Sequence, residues 1–104
     1  MTEYACGATA ENVRLPPCFN PLNRELALGG SSGGSSAAVA SGMVYASLCT
    51  DTAGSVRIPA FTCGMLGLKT THGLVPLDGV GALAPSLDSV GIISRSANDT
   101  QTVL

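Results

Sequence analysis

The chain has 104 residues, 45% of them hydrophobic and only 12% charged, with a formal net charge of −2. That length suits one small domain rather than two, and the shortage of charge points to a piece of a larger domain whose surface is covered elsewhere. No basic stripe or aromatic platform supports direct nucleic-acid binding, no apolar run reaches the ~18 residues of a membrane span, and the N-terminus lacks the basic-then-apolar order of a signal peptide.

Four cysteines (Cys6, Cys18, Cys49 and Cys63) lack CxxC spacing and His72 is the only histidine, so no metal site is expected. Cys49 and Cys63 lie in apolar context and read as small buried hydrophobes, in keeping with a reducing compartment.

Tyr4–Ala5–Cys6 is expected as a short strand, with Glu3 beside it a surface carboxylate. Val13–Leu28 carries Pro16, Pro17 and Pro21 and is expected to be an irregular loop. Arg24 and Glu25 within it read as a solvated pair. In Gly29–Gly34 four of six residues are glycine, which argues against strand or helix interior. Ser35 or Ser36 is the expected N-cap of a helix over Ala37–Gly42. Val44–Thr50 has the β-branched and aromatic content of a buried strand, and Asp51–Gly54 reads as a tight turn.

A helix opening near Ser55 carries Val56, Arg57 and Ile58, with Pro59 in its first turn, and Gly64–Gly67 ends it. Leu66–Lys69 and Leu74–Leu77 read as short extended pieces and Val90–Ser94 as another strand. Asn98–Leu104 begins an amphipathic helix behind a capping pattern, and the chain ends before that helix is complete.

Two small-residue loops dominate this order: GGSSGGSS at Gly29–Ser36 and CTDTAGSVRIP at Cys49–Pro59. Each offers hydroxyls and unencumbered N–H groups. The first loop has the composition of a flexible linker, but an apolar helix follows it at once, and a cradle is the better reading.

These strings resemble the signature region of the amidase signature family of serine hydrolases. GGSSGGS (Gly29–Ser35) is similar to that family's glycine-serine motif, and TDTAGSVRIPA (Thr50–Ala60) to its second motif. GLKTTHGLVP (Gly67–Pro76), APSLDSVGIISRS (Ala84–Ser96) and TEYACGATAEN (Thr2–Asn12) resemble the flanking segments, in the same order and spacing over nearly the whole chain. The resemblance implies an α/β fold, a mixed sheet covered by helices. Residues 1–104 would form part of a single amidase domain, its central signature portion, truncated at both ends.

Hydrolysing an amide needs an activated nucleophile, an oxyanion site and a proton for the leaving amine. Ser55 is the expected nucleophile. The backbone N–H groups of Thr52, Ala53, Gly54 and Ser55 would converge on one carbonyl oxygen, aided by the dipole of a helix starting at Ser55. The resemblance implies a Ser–Ser–Lys relay in place of a histidine base. By the motif match Ser31 is the relay serine, behind a cis Gly30–Ser31 bond, and Gly29, Gly30, Ser32, Gly33 and Gly34 support its loop.

The catalytic lysine of that family lies well upstream of the first motif, and the only lysine here is Lys69, at a position the family does not use for catalysis. Lys69 therefore reads as a structural or surface cation and the general base as missing from this chain. His72 has no spacing that ties it to Ser55. Ala53 stands where the family most often has glycine, which is tolerated if its φ is negative. Asp51 and Arg57 are expected to brace the turn as an ion pair, with a substrate-clamping role for Arg57 as the alternative, and Asp88 and Arg95 read as framework charges.

The implied reaction is hydrolysis of a small-molecule carboxamide through an acyl-enzyme, in the cytoplasm, with no metal or cofactor. The alternatives are a glutaminase-type A subunit of a tRNA-dependent amidotransferase, which brings partner subunits, and a truncated non-catalytic product. A third is an anion-binding nest at Gly29–Gly34.

Overall fold

The computed structural model describes residues 1–104. Three strands are present: β1 (Ala46–Asp51), β2 (Leu66–Lys69) and β3 (Ser89–Ser94). They lie in the order β1-β3-β2 with both pairings antiparallel, so the last strand made is the central one. The register sets Cys49 and Lys69 on either side of Gly91, and Asp51 opposite Ser89. Alternation along the strands then puts Cys49, Asp51, Lys69, Gly91 and Ile93 on one face.

Helices α1 (Gly33–Ala40) and α2 (Arg57–Thr62) cover that face, and a third helix, α3 (Ala97–Val103), follows β3. The core there is Val39 from α1, Val56 and Ala60 from α2 and its cap, and Ile93 from β3, all buried. Burying a Val or Ile side chain contributes about 1.5–3 kcal/mol each. Leu28, Ala37 and Cys63 form a second small cluster beneath the first loop. Gly91 lacks a side chain for a reason: a Cβ there would stand 2.5 Å from the Leu68 carbonyl oxygen and 3.0 Å from a Val56 methyl.

The α/β class expected from the sequence is what forms, and β2 spans the expected residues. Several local readings need correction. Glu3–Ala5 is a short 3-10 turn, not a strand; Tyr4 (φ 55°) and Ala5 (φ 56°) are left-handed, which no strand accommodates. The first-loop helix begins at Gly33, capped by the Ser32 position without a side-chain bond, so Gly33 and Gly34 are helical. Packing decides this, since a Cβ on Gly33 would lie 2.5 Å from the Ala10 methyl.

The strand β1 starts at Ala46, and it is not buried: Leu48 is 65% exposed and Val44 and Tyr45 lie outside it. Leu74–Leu77 forms no strand: Leu74 closes a turn, Val75 is a bend, and Pro76 and Leu77 are irregular. Arg24 does not pair with Glu25; its guanidinium sits over the Phe19 ring at 4.3 Å. Glu3 pairs with Arg14 at 3.3 Å, Cys63 is fully buried as expected, and Cys49 is half-buried. The α3 start is as its sequence suggests, with Ser96 Oγ accepting the Asp99 N–H at 3.1 Å.

Candidate active site

The first loop is seated on α2. Gly29 has φ +76°, and a Cβ on it would stand 2.9 Å from Pro59 Cα, so only glycine satisfies both the conformation and the close approach. Two side chains fasten the contact: Thr62 Oγ1 donates to the Leu28 carbonyl at 2.6 Å, and Ser36 Oγ donates to the Pro59 carbonyl at 2.7 Å. The Gly30–Ser31 peptide is cis. The Ser32 N–H donates to the Ser55 carbonyl at 3.2 Å, which ties the two loops together, and the Thr2 N–H donates to the Ser31 carbonyl at 3.1 Å.

Ser31 is fully buried and its hydroxyl has no hydrogen-bond partner. A buried hydroxyl left unpaired costs about 1–3 kcal/mol, and such groups call for an explanation. Gly29–Gly33 are all buried, so no open nest for a free anion exists there and the anion-binding alternative is set aside.

The second loop, Thr52–Ser55, is clamped one peptide plane at a time. Lys69 Nζ donates to the Thr52 carbonyl at 2.8 Å, and also to Leu87 O at 2.8 Å. The Gly54 N–H donates to Asp51 Oδ1 at 2.8 Å. The Gly54 carbonyl accepts the Ile58 N–H at 2.7 Å.

Asp51 is buried and takes five further contacts: the N–H groups of Val56 (3.1 Å) and Arg57 (3.3 Å), Arg57 Nε (3.1 Å) and Nη2 (3.0 Å), and Lys69 Nζ at 3.5 Å. Burial pushes its carboxyl up, but the Arg57 guanidinium and the three backbone donors outweigh this and leave it at about 2. The Asp51–Arg57 brace is therefore present, and Arg57 is committed to it.

Thr52 is held from the other side as well. Its Oγ1 donates to Asp88 Oδ1 at 2.5 Å, while Asp88 Oδ2 accepts the N–H groups of Leu83 (2.9 Å) and Ala84 (3.0 Å). The Thr52 hydroxyl leads the causes that hold the Asp88 carboxyl below its usual range. His72 Nδ1 lies 3.0 Å from the Asp88 carbonyl oxygen, a loop contact. Arg95 is exposed and stacks over the Tyr45 ring at 5.4 Å.

These bonds revise the expected oxyanion donors. The Gly54 N–H belongs to Asp51, and the N–H groups of Val56 and Arg57 that open α2 do too, so the helix terminus is closed by a carboxylate rather than left to a substrate. Thr52, Ala53 and Ser55 N–H make no bond within the chain. Ala53 has a negative φ and Gly54 takes +135°, so the alanine sits without strain. Gly30, Thr52, Ala53, Gly54 and Ser55 share a cavity of about 260 Å³ with Cys6, Gly7, Ile58 and Leu83.

The two motif loops thus meet, with the hydroxyl-bearing residue of one at a pocket and a buried, unpartnered hydroxyl in the other. Lys69 and Asp88 were the residues that sequence reasoning passed over as framework. The signal for Lys69 is the strand alternation that sets it on the face carrying Asp51. For Asp88 the bonds to the Leu83 and Ala84 N–H groups are local, but its bond to Thr52 spans 36 residues and carries no sequence signal.

A small antiparallel sheet with helices on one face and two small-residue loops tethered to each other defines an α/β chain. The chain belongs to the amidase family: the family model described as Amidase matches residues 1–104. Among relatives, the A subunit of glutamyl-tRNA(Gln) amidotransferase from Anaeromyxobacter sp. (strain K) is 51% identical over 104 residues, covering 100% of this chain and 21% of that protein. The protein of the same name from Salinibacter ruber is 50% identical over 102 residues, 98% of this chain and 20% of that protein.

Among solved structures, the crystal structure of an amidase superposes with a TM-score of 0.95 at 45% identity, over 99% of this chain and 24% of that one. The A subunit of the Thermotoga maritima glutamyl-tRNA(Gln) amidotransferase gives 0.90 at 45% identity, over 97% of this chain and 22% of that one. The chain spans about a fifth of the length of the curated relatives it matches.

Proposed function

We propose that this chain carries the nucleophile and the proton relay of an enzyme that hydrolyses a carboxamide C–N bond. The observation that carries the reading is Ser31: fully buried, its hydroxyl unpaired, in a loop bonded directly to the Ser55 backbone. A proton relay accounts for such a hydroxyl where its loop is bonded to the nucleophile's backbone, a link that Ser89, the other buried serine without a partner, lacks.

In the forward step Ser55 Oγ bonds to the amide carbon while its proton passes to Ser31 Oγ, which hands its own proton to a base. The carbonyl oxygen gathers negative charge opposite the free N–H groups of the Thr52–Ser55 loop. The C–N bond then breaks as the nitrogen takes up a proton, and water hydrolyses the Ser55 ester. Lys69 does not serve as the base in this scheme, because its ammonium is bonded to two carbonyls and beside Asp51. The base comes from residues other than these 104.

In the protein that carries this chain, Ser55→Ala abolishes turnover and the covalent adduct with a fluorophosphonate probe; retained labelling overturns the assignment. Ser31→Ala slows acylation by about 10²–10⁴-fold, the usual worth of a positioned proton-transfer group, with the circular dichroism spectrum unchanged. A near-normal rate would place the relay elsewhere.

A second reading is favoured by the names of the relatives: the A subunit of an amidotransferase that works with partners on glutamyl-tRNA(Gln). Ammonia release from glutamine coupled to amidation of that tRNA supports it. Hydrolysis of simple amides with no tRNA product supports a free-standing amidase.

A further inference from the structure

We propose that Lys69 is a positioning residue of the oxyanion site, its ammonium on the Thr52 carbonyl turning the Ala53 N–H toward the Ser55 pocket. This rests on the hydrolase reading above.

The Thr52–Ala53 peptide is trans, since the one cis bond in the chain is Gly30–Ser31. In a trans peptide the C=O and the following N–H point in opposite directions. A donor that fixes the Thr52 oxygen therefore fixes the Ala53 hydrogen on the far side. Lys69 reaches that oxygen at 2.8 Å from the end of β2, across the side-chain-free Gly91 of β3. Its side chain is only 23% exposed, and its second bond, to Leu87 O at 2.8 Å, holds the ammonium from below.

The same rule fixes the other two planes. Asp51 on the Gly54 N–H sets the Ala53 carbonyl, and the Ile58 N–H on the Gly54 carbonyl sets the Ser55 N–H. The clamped planes orient two of the three free donors, Ala53 and Ser55, on residues that line the 260 Å³ cavity; the third, Thr52, precedes the clamped planes. Of the three clamps, Lys69 is the only one that brings a full positive charge to a carbonyl. That charge polarises the amide and makes the Ala53 N–H a stronger donor to a developing anion. Preorganisation of this kind is worth most where charge appears only in the transition state.

The test uses the full-length protein and measures kcat, KM and the rate of fluorophosphonate labelling. Lys69→Met lowers kcat and the labelling rate together by about 10²-fold, the loss typical of one oxyanion donor, while KM moves by less than about threefold. Lys69→Arg, which returns a cation to the carbonyl, recovers most of that loss. If Lys69→Met does not fold, Lys69→Gln, which keeps an N–H donor without charge, is measured by the same split.

Turnover and labelling at the unsubstituted rate in Lys69→Met overturn the proposal. So does a loss confined to KM or to thermal stability, and so does rescue of Lys69→Met by added alkylamines with a shifted pH profile, which would make Lys69 a base. Ser55→Ala separates the two readings. If it abolishes labelling while Lys69→Met changes nothing, the positioning role alone fails; if it leaves labelling intact, the hydrolase reading fails first.

Discussion

Asp51 shows how much of this site depends on one carboxylate. It is buried, yet six donors converge on it, and they hold its carboxyl near 2 against an ordinary value of 3.8. Because the folded value is the lower one, the stabilisation is present in full above pH 3.8 and is lost as pH falls through about 2. The shift corresponds to something on the order of 2 kcal/mol.

Asp51→Asn flattens that acid limb in urea unfolding monitored against pH, and destabilises the protein by about 2–4 kcal/mol at neutral pH by stranding Arg57 and Lys69. An unchanged acid limb would mean that other carboxylates govern it. The site's charged framework is thus expected to weaken before its serines are touched.

Elements carry the next level of constraint. The first loop works only because Gly29 lets it lie on α2, where a Cβ would meet Pro59 Cα at 2.9 Å. Gly29→Ala costs about 2–4 kcal/mol, combining a left-handed alanine with overpacking, and it slows Ser55 labelling as the loop lifts. Equal urea midpoints for Gly29→Ala and the unsubstituted protein would count against this. Ser96→Ala is the control: it removes the α3 cap, costs about 1 kcal/mol, and leaves labelling unchanged.

The contrast between these elements explains what the sequence disclosed. Leu66–Lys69, the β3 region and the Ser96-capped helix carry their own local signals, and they form close to where those signals lie. The start of α1 was hidden because glycine argues against helix everywhere except where packing forbids a Cβ, as at Gly33 beside Ala10. The candidate site residues on the motif loops rest on the family resemblance, and the structure brings those two loops together through the Ser32 N–H and the Ser55 carbonyl. The roles of Lys69 and Asp88 were not legible, because the bonds that tie each of them to Thr52 span 17 and 36 residues of chain.

At the scale of the whole molecule, much apolar surface is left uncovered. Phe61 is 85% exposed, Tyr45 83% and Met43 78%, in a chain that spans about a fifth of its curated relatives. Only 24 of 104 residues are buried, a small core for holding several clamped loops. Produced by itself, the 104-residue chain is expected to bind the dye ANS and to unfold over a broad range of urea. A sharp transition without dye binding would show that these residues suffice as a stable unit. No helix is long and apolar enough to cross a membrane.

The position of β3 has a consequence for synthesis on the ribosome. Strands β1 and β2 never touch each other; both pair only with β3, which is made last. Until Ser89–Ser94 has left the exit tunnel, β1 and β2 lack the strand that joins them, and Lys69 lacks the frame from which it reaches Thr52. Ser31 and Ser55 are therefore translated well before the frame that holds their loops exists. The arrival of one six-residue strand joins β1 to β2 and completes the frame that clamps the Thr52–Ser55 loop. Up to that moment the exposed edges are natural targets for a chaperone that recognises extended chain.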